Sequence, residues 1–176
     1  MDCKTKSCLL LLAFAASVIS TIEQAIARPL NPSCLEGLAR IGKRLSSDHQ
    51  VIIASLSNSD VPAIYETPFS RQGQVLTIVF QGQPSSELTG RKVRNALALL
   101  NSPQIQLNFA KSIMQICSEV DIVEYALMGT DDSWPHFRMP SGGAAIGVPL
   151  ACPGRYATEP TSMKWGFYEG CNSGQT

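Results

Sequence analysis

Two helical patterns set back to back, with β-branched runs on either side, constrain this chain more than any other feature. The first opens near Ser86 and Thr89 and repeats apolar side chains at Val93, Ala96, Leu97 and Leu100, the spacing of one helix face. Asn101-Ser102-Pro103 then breaks the pattern and restarts it, with Ser102 placed to cap and Pro103 at the first helical position, where a missing N–H costs nothing. The second helix carries two adjacent apolar stripes. One is Ile105, Phe109, Ile113 and Ile116; the other is Leu107, Ala110, Met114 and Cys117. A helix apolar over so wide an arc must pack against both a sheet and a neighbouring helix.

The flanking segments supply that sheet. Residues 51–56 (VIIASL) and 75–80 (VLTIVF) are β-branched runs that suit buried strands, and 120–128 (VDIVEYALM) alternates as a strand with one buried face. The stretch 57–74 between the first two, with Pro62 and Pro68, is a long connection of the kind that forms a binding loop or stays loosely ordered. Ahead of them, Ser33 is placed to cap a helix over 34–45 whose inner face is Leu35, Leu38, Ile41 and Leu45. Arg40, Lys43 and Arg44 fall on its other side and read as a solvated face, as do Arg91, Lys92 and Arg94 further on. Short strands are expected at 137–139, 144–151 and 163–168. Helix, two strands, two helices and a strand, followed by short strands, define an α+β fold: a mostly antiparallel sheet with a helical pair packed on one face.

The first 27 residues are expected to lie outside that fold. Lys4 and Lys6 precede a short apolar run, CLLLLAFAASVI, and Ala25-Ile26-Ala27 has the small residues of a processing site. That order is the pattern of a secretory signal peptide, and the run is too short for the roughly 20 residues a membrane helix needs. Cleavage makes Arg28 the first residue of a single globular domain, 28–176. The expected location is therefore secreted or periplasmic, with no transmembrane segment after signal removal. Taking 27 from 176 residues leaves 149, with Cys34, Cys117, Cys152 and Cys171 as the remaining cysteines. An even number in an exported chain points to disulfides. Cys117 lies on an inward stripe, so the preferred pairing is Cys34–Cys117 with Cys152–Cys171. No two of the four have the close spacing of a zinc site.

Charge excludes more than it selects. The chain carries 14 basic and 14 acidic side chains, and the leader takes two of each, so the domain stays neutral. A neutral domain lacks the basic excess of a nucleic-acid binder. Hydrophobic residues at 44% against 16% charged exclude a disordered chain. There is no G-x-S-x-G nucleophile elbow. Gly90-Arg91-Lys92 is not a phosphate loop, and Gly142, Gly143 and Gly147 lack the strand–helix setting of a dinucleotide fingerprint. No cofactor is expected.

One polar cluster has chemical potential, 131–138 (DDSWPHFR). Asp131, Asp132 and His136 offer carboxylate and imidazole donors for a metal, or a general base in His136 with an acid to orient it. An exposed turn is the plainer reading, because Asp, Ser and Pro are turn formers. Trp134, Phe137, Trp165, Phe167 and Tyr168 can likewise form a stacking surface, although closing a small core is the more general use of such rings.

The run Asn101-Ser102-Pro103-Gln104-Ile105-Gln106, continuing through Ala110-Lys111-Ser112-Ile113 to Cys117, is followed by Ile122-Val123-Glu124-Tyr125, Thr130-Asp131-Asp132-Ser133-Trp134 and the ending Trp165-Gly166-Phe167-Tyr168. Over roughly residues 90–170 this succession resembles a group of small secreted cyanobacterial proteins of unknown function. The resemblance implies an exported, disulfide-containing domain and carries no catalytic residue or cofactor. The function expected is a non-enzymatic binding or envelope-associated domain for a protein or small-molecule ligand. The alternative is a small extracellular hydrolase using His136 with Asp131 or Asp132.

Overall fold

The computed structural model describes residues 28–82, 87–150 and 162–169. The expected leader, Cys152 and Cys171 lie outside the described residues. Along the chain run α1 (Pro32–Asp48), β1 (Ile53–Asp60), β2 (Tyr65–Glu66), β3 (Gln74–Phe80), α2 (Glu87–Leu100), α3 (Pro103–Ile116), β4 (Val120–Leu127), β5 (Ser133–Arg138), β6 (Ala144–Ile146), β7 (Val148–Leu150), β8 (Met163–Lys164) and β9 (Phe167–Glu169). Five strands form one sheet in the order β1-β3-β4-β5-β6. The α+β expectation holds, with one refinement. The sheet is mixed, because β3 and β4 at its centre are parallel while the other pairs are antiparallel. Parallel neighbours need a long crossover, and the α2–α3 pair supplies it.

The helices and the sheet share the main core. Leu76, Ile78 and Phe80 of β3 and Val123, Tyr125 and Leu127 of β4 meet Ala96, Leu99 and Leu100 of α2 and Phe109, Ala110, Ile113 and Met114 of α3. The break at Ser102-Pro103 falls where expected, but the Ser102 side chain makes no capping hydrogen bond. Gln106, buried in α3, closes the corner instead by donating from Nε2 to the Leu100 carbonyl at 2.5 Å. Its own backbone carbonyl accepts from the Tyr125 hydroxyl at 3.1 Å.

α1 starts earlier than the sequence pattern suggests. Asn31, not Ser33, is the cap: its Oδ1 accepts from Cys34 N at 2.7 Å, with Pro32 in the first turn. This register turns Cys34, Leu38, Ile41 and Leu45 inward and leaves Leu35 54% exposed, so Leu35 is not the core residue the spacing suggested. The buried Cys34 is bonded to Cys117, with their Cα atoms 4.6 Å apart, which fastens the start of α1 to the end of α3.

β1 also departs from expectation. It is an edge strand with one hydrogen-bonded neighbour, β3, and most of its side chains are exposed. β4 is the opposite case: its residues are buried on both faces except at Glu124 and Ala126. The reason is a second, smaller core on the face of the sheet away from the helices. Val61, Val75, Ile122 and Phe137 are buried there against Tyr65 and Trp165. Phe137 and Trp165 meet edge to face at 5.2 Å between ring centres, and the Trp165 indole N–H donates to the Arg138 carbonyl at 2.7 Å. The ribbons β2–β8 and β7–β9 lean over this side of the sheet.

Candidate functional site

The cluster expected at 131–138 is a strand rather than a turn. From Ser133 the chain enters β5, which pairs with β4 on one side and β6 on the other. Side chains alternate across it. Trp134 and His136 go to the helix side, opposite Tyr125 and Val123, while Ser133, Pro135 and Phe137 go to the open side. Pro135 still serves the ladder through its carbonyl, which accepts from Gly147 N at 2.8 Å.

His136 is completely buried, with its ring edge-on to Tyr125 at 5.3 Å. Its Nδ1 lies 3.0 Å from the Trp134 carbonyl oxygen. That oxygen can only accept, so Nδ1 carries the proton. Nε2 is buried with no hydrogen-bond partner. Burial holds the imidazole below its ordinary pKa of 6.5, the Trp134 carbonyl opposing the shift. Among the described residues no acid bonds to it: Asp131 is exposed on the turn before β5, and neither Asp131 nor Asp132 bonds to His136. The residues of the hydrolase reading are therefore not brought together. Among the described residues no three His, Cys, Asp or Glu side chains gather as a metal site.

A buried carboxylate appears elsewhere, at Asp121. Its Oδ1 accepts from Arg71 at 2.5 Å and from Arg138 at 2.9 Å. Arg138 continues from Nη2 to the carbonyls of Met114, Cys117 and Val120 at 2.7–2.8 Å, so one guanidinium satisfies the end of α3 beside the disulfide. Arg71 reaches the Ser118 carbonyl at 2.6 Å. Asp121 Oδ2 is buried and unpaired, pressed against Gly73, where a Cβ would lie 1.9 Å away. Both arginines are engaged by this bracket, whose role is to hold the α3–β4 corner.

The open face of the sheet carries a cleft of about 450 Å3. β3 and β4 form its floor, where Thr77 and Glu124 are register partners. Thr77 Oγ1 donates to Glu124 Oε2 at 3.1 Å. Ser133 and Pro135 of β5 continue the floor. The connection after β1 forms one wall through Pro62, Ile64 and Tyr65, and Met163 and Tyr168 form the other. Burial raises the Tyr168 hydroxyl above its ordinary pKa of 10.0, so it remains a neutral phenol at physiological pH. Sequence patterning leaves the long connection as either a binding loop or a loosely ordered segment, and Tyr168 as either core closure or part of a stacking surface. The cleft takes the first reading of the connection and places Tyr168 on its wall. Sequence patterning passed over Glu124, the charged side chain on the floor. The one signal for Glu124 was a second carboxylate, after Asp121, within a strand whose other residues are apolar or aromatic.

Of the other aromatic candidates, Phe137 and Trp165 belong to the small core and Trp134 packs on the helix side. No family profile, curated protein or solved structure matches this chain.

Proposed function

We propose that this chain is an exported, disulfide-stabilised binding domain, non-enzymatic, that takes a small-molecule ligand in the open-face cleft at the cell envelope or outside it. The observation that carries this reading is the cleft itself. A sheet with helices on one face has its other face partly roofed by two short ribbons, leaving a concave space whose floor sets a carboxylate and hydroxyls among Val75, Ile122 and Pro135. Small-molecule sites are concave spaces of roughly 300–1,000 Å3 with a few convergent polar groups, and this cleft has both the size and the polar groups, although its lining is mixed rather than mainly apolar. The Cys34–Cys117 bond suits an oxidising compartment, and among the described residues no helix is long and apolar enough to cross a membrane. Kinship with the small secreted cyanobacterial proteins belongs to the same proposal.

Two measurements test it. N-terminal sequencing of protein recovered outside the cytoplasm is expected to start at Arg28, and a chain that keeps Met1 and stays in the cytoplasm overturns export. A fragment screen read by amide NMR is expected to move Thr77, Ile122, Glu124 and Ser133 together. A screen whose hits all map elsewhere overturns the cleft as the binding site.

A further inference from the structure

We infer that the open-face cleft selects an organic cation, a primary ammonium or guanidinium carried on an apolar body, with Glu124 as its counter-charge. This rests on the cleft being the ligand site and names the chemistry it takes.

Glu124 is half-buried on the floor, and among the described residues only one of its oxygens is used, Oε2 by Thr77. Among the described residues no ion pair involves Glu124, and no Lys or Arg lines the cleft. Lys164 follows Met163 in β8 but is not in the lining, and three arginines are engaged elsewhere. Arg71 and Arg138 hold Asp121, and Arg28 holds Asp60 at 3.1 Å. A carboxylate partly withdrawn from water without a counter-ion gains most from a ligand that brings one, because a charge-assisted N–H to carboxylate bond is about twice as strong as a neutral one. Free Oε1 is the acceptor for the ligand's N–H groups, with Oε2 already fixed by Thr77.

The walls agree with this assignment. Ile64 and Met163 offer surface to the apolar body. Tyr168, a neutral phenol, presents an aromatic ring to a cation rather than a competing charge. A carboxylate or phosphate ligand is disfavoured, since it would meet Glu124 with no cation in the lining to offset it. A neutral sugar is the nearest competitor, able to donate hydroxyls to Glu124 and stack on tyrosine, but it leaves the carboxylate charge uncompensated.

Benzylamine, benzyl alcohol and methyl α-glucoside separate these cases by amide NMR titration on the intact domain. Benzylamine is expected to shift Thr77, Ile122 and Glu124 at millimolar concentration and to bind about tenfold more tightly than benzyl alcohol. Glu124→Gln is expected to remove that tenfold advantage and leave the alcohol unchanged. Should that variant fail to fold, Ser133→Lys places an ammonium in the lining and is expected to weaken benzylamine binding about tenfold relative to the wild type; unchanged benzylamine affinity in that variant overturns the assignment. If the alcohol or the glucoside binds as well as the amine, and Glu124→Gln changes nothing, the cation assignment falls while the cleft stands as a ligand site. If none of the three moves these amides, the cation assignment also falls, and the broader fragment screen decides the fate of the cleft.

Discussion

His136 is held neutral in the core, and that has a measurable sign. Its folded pKa lies below the 6.5 of an exposed imidazole. Between those two values the unfolded chain binds a proton that the folded chain does not, so stability falls as pH drops through about 6.5. Urea denaturation at pH 7.5 and pH 5 is expected to show the loss, and His136→Phe is expected to flatten the dependence; equal midpoints for the wild type at both pH values contradict it. Asp121 offers a second residue-scale case. Removing a partner from a buried ion pair strands the remaining charge, so Asp121→Ala is expected to cost about 3 kcal/mol, here moderated by the carbonyls that still hold Arg138. Gly73→Ala strikes the same bracket from the other side, driving a methyl group into Asp121 Oδ2. It should cost more than Gly142→Ala, where φ is +88° but the space is open and only left-handed strain of about 1 kcal/mol applies. Equal midpoints for the two glycine variants in chemical denaturation would sink that comparison. Neither Asp121 nor Arg138 announced this role in the sequence, since an ion pair between residues 17 apart leaves no local pattern.

At the scale of elements, what was legible is what periodicity records. The α2–α3 pair was readable because the Ser102-Pro103 break and the stripes of α3 are local signals, and β3 because six consecutive apolar or β-branched residues admit few alternatives. Only the end of β5 was legible, as the strand expected at 137–139. Its first four residues were read as a turn because Asp131, Asp132, Ser133 and Pro135 are individually turn formers, and their propensity masked the alternation of Trp134 and His136 with Pro135 and Phe137. The parallel β3–β4 pairing was missed for a related reason: strand direction follows from the crossover, not from strand composition. The disulfide is the cross-link between elements, and it closes a long loop, 83 residues in sequence separation. Opening it by Cys34→Ala with Cys117→Ala is expected to cost roughly 3–4 kcal/mol. Chemical denaturation of oxidised wild type beside the double variant checks this, and coincident midpoints refute it.

For the molecule as a whole, the sheet is unevenly protected. β3 and β4 are central and mostly buried, with hydrogen-bonded neighbours on both edges, whereas β1 has a free edge and exposed side chains. Local opening follows burial and backbone pairing, so amide exchange is expected to be slowest in Leu76, Ile78, Val123 and Tyr125 and faster by orders of magnitude in alternate amides of β1. Uniform exchange across the sheet would contradict a graded structure. The Cys34–Cys117 bond also bears on how the chain is made. A ribosome adds about 5–20 residues per second, so Cys34 exists for some 4–17 s before its partner 83 residues later is even synthesised. Cys117 is nevertheless the next cysteine in the chain, ahead of Cys152 and Cys171. Among the cysteines after residue 27, pairing in order of synthesis therefore gives the Cys34–Cys117 bond directly, without the reshuffling that interleaved cysteines require.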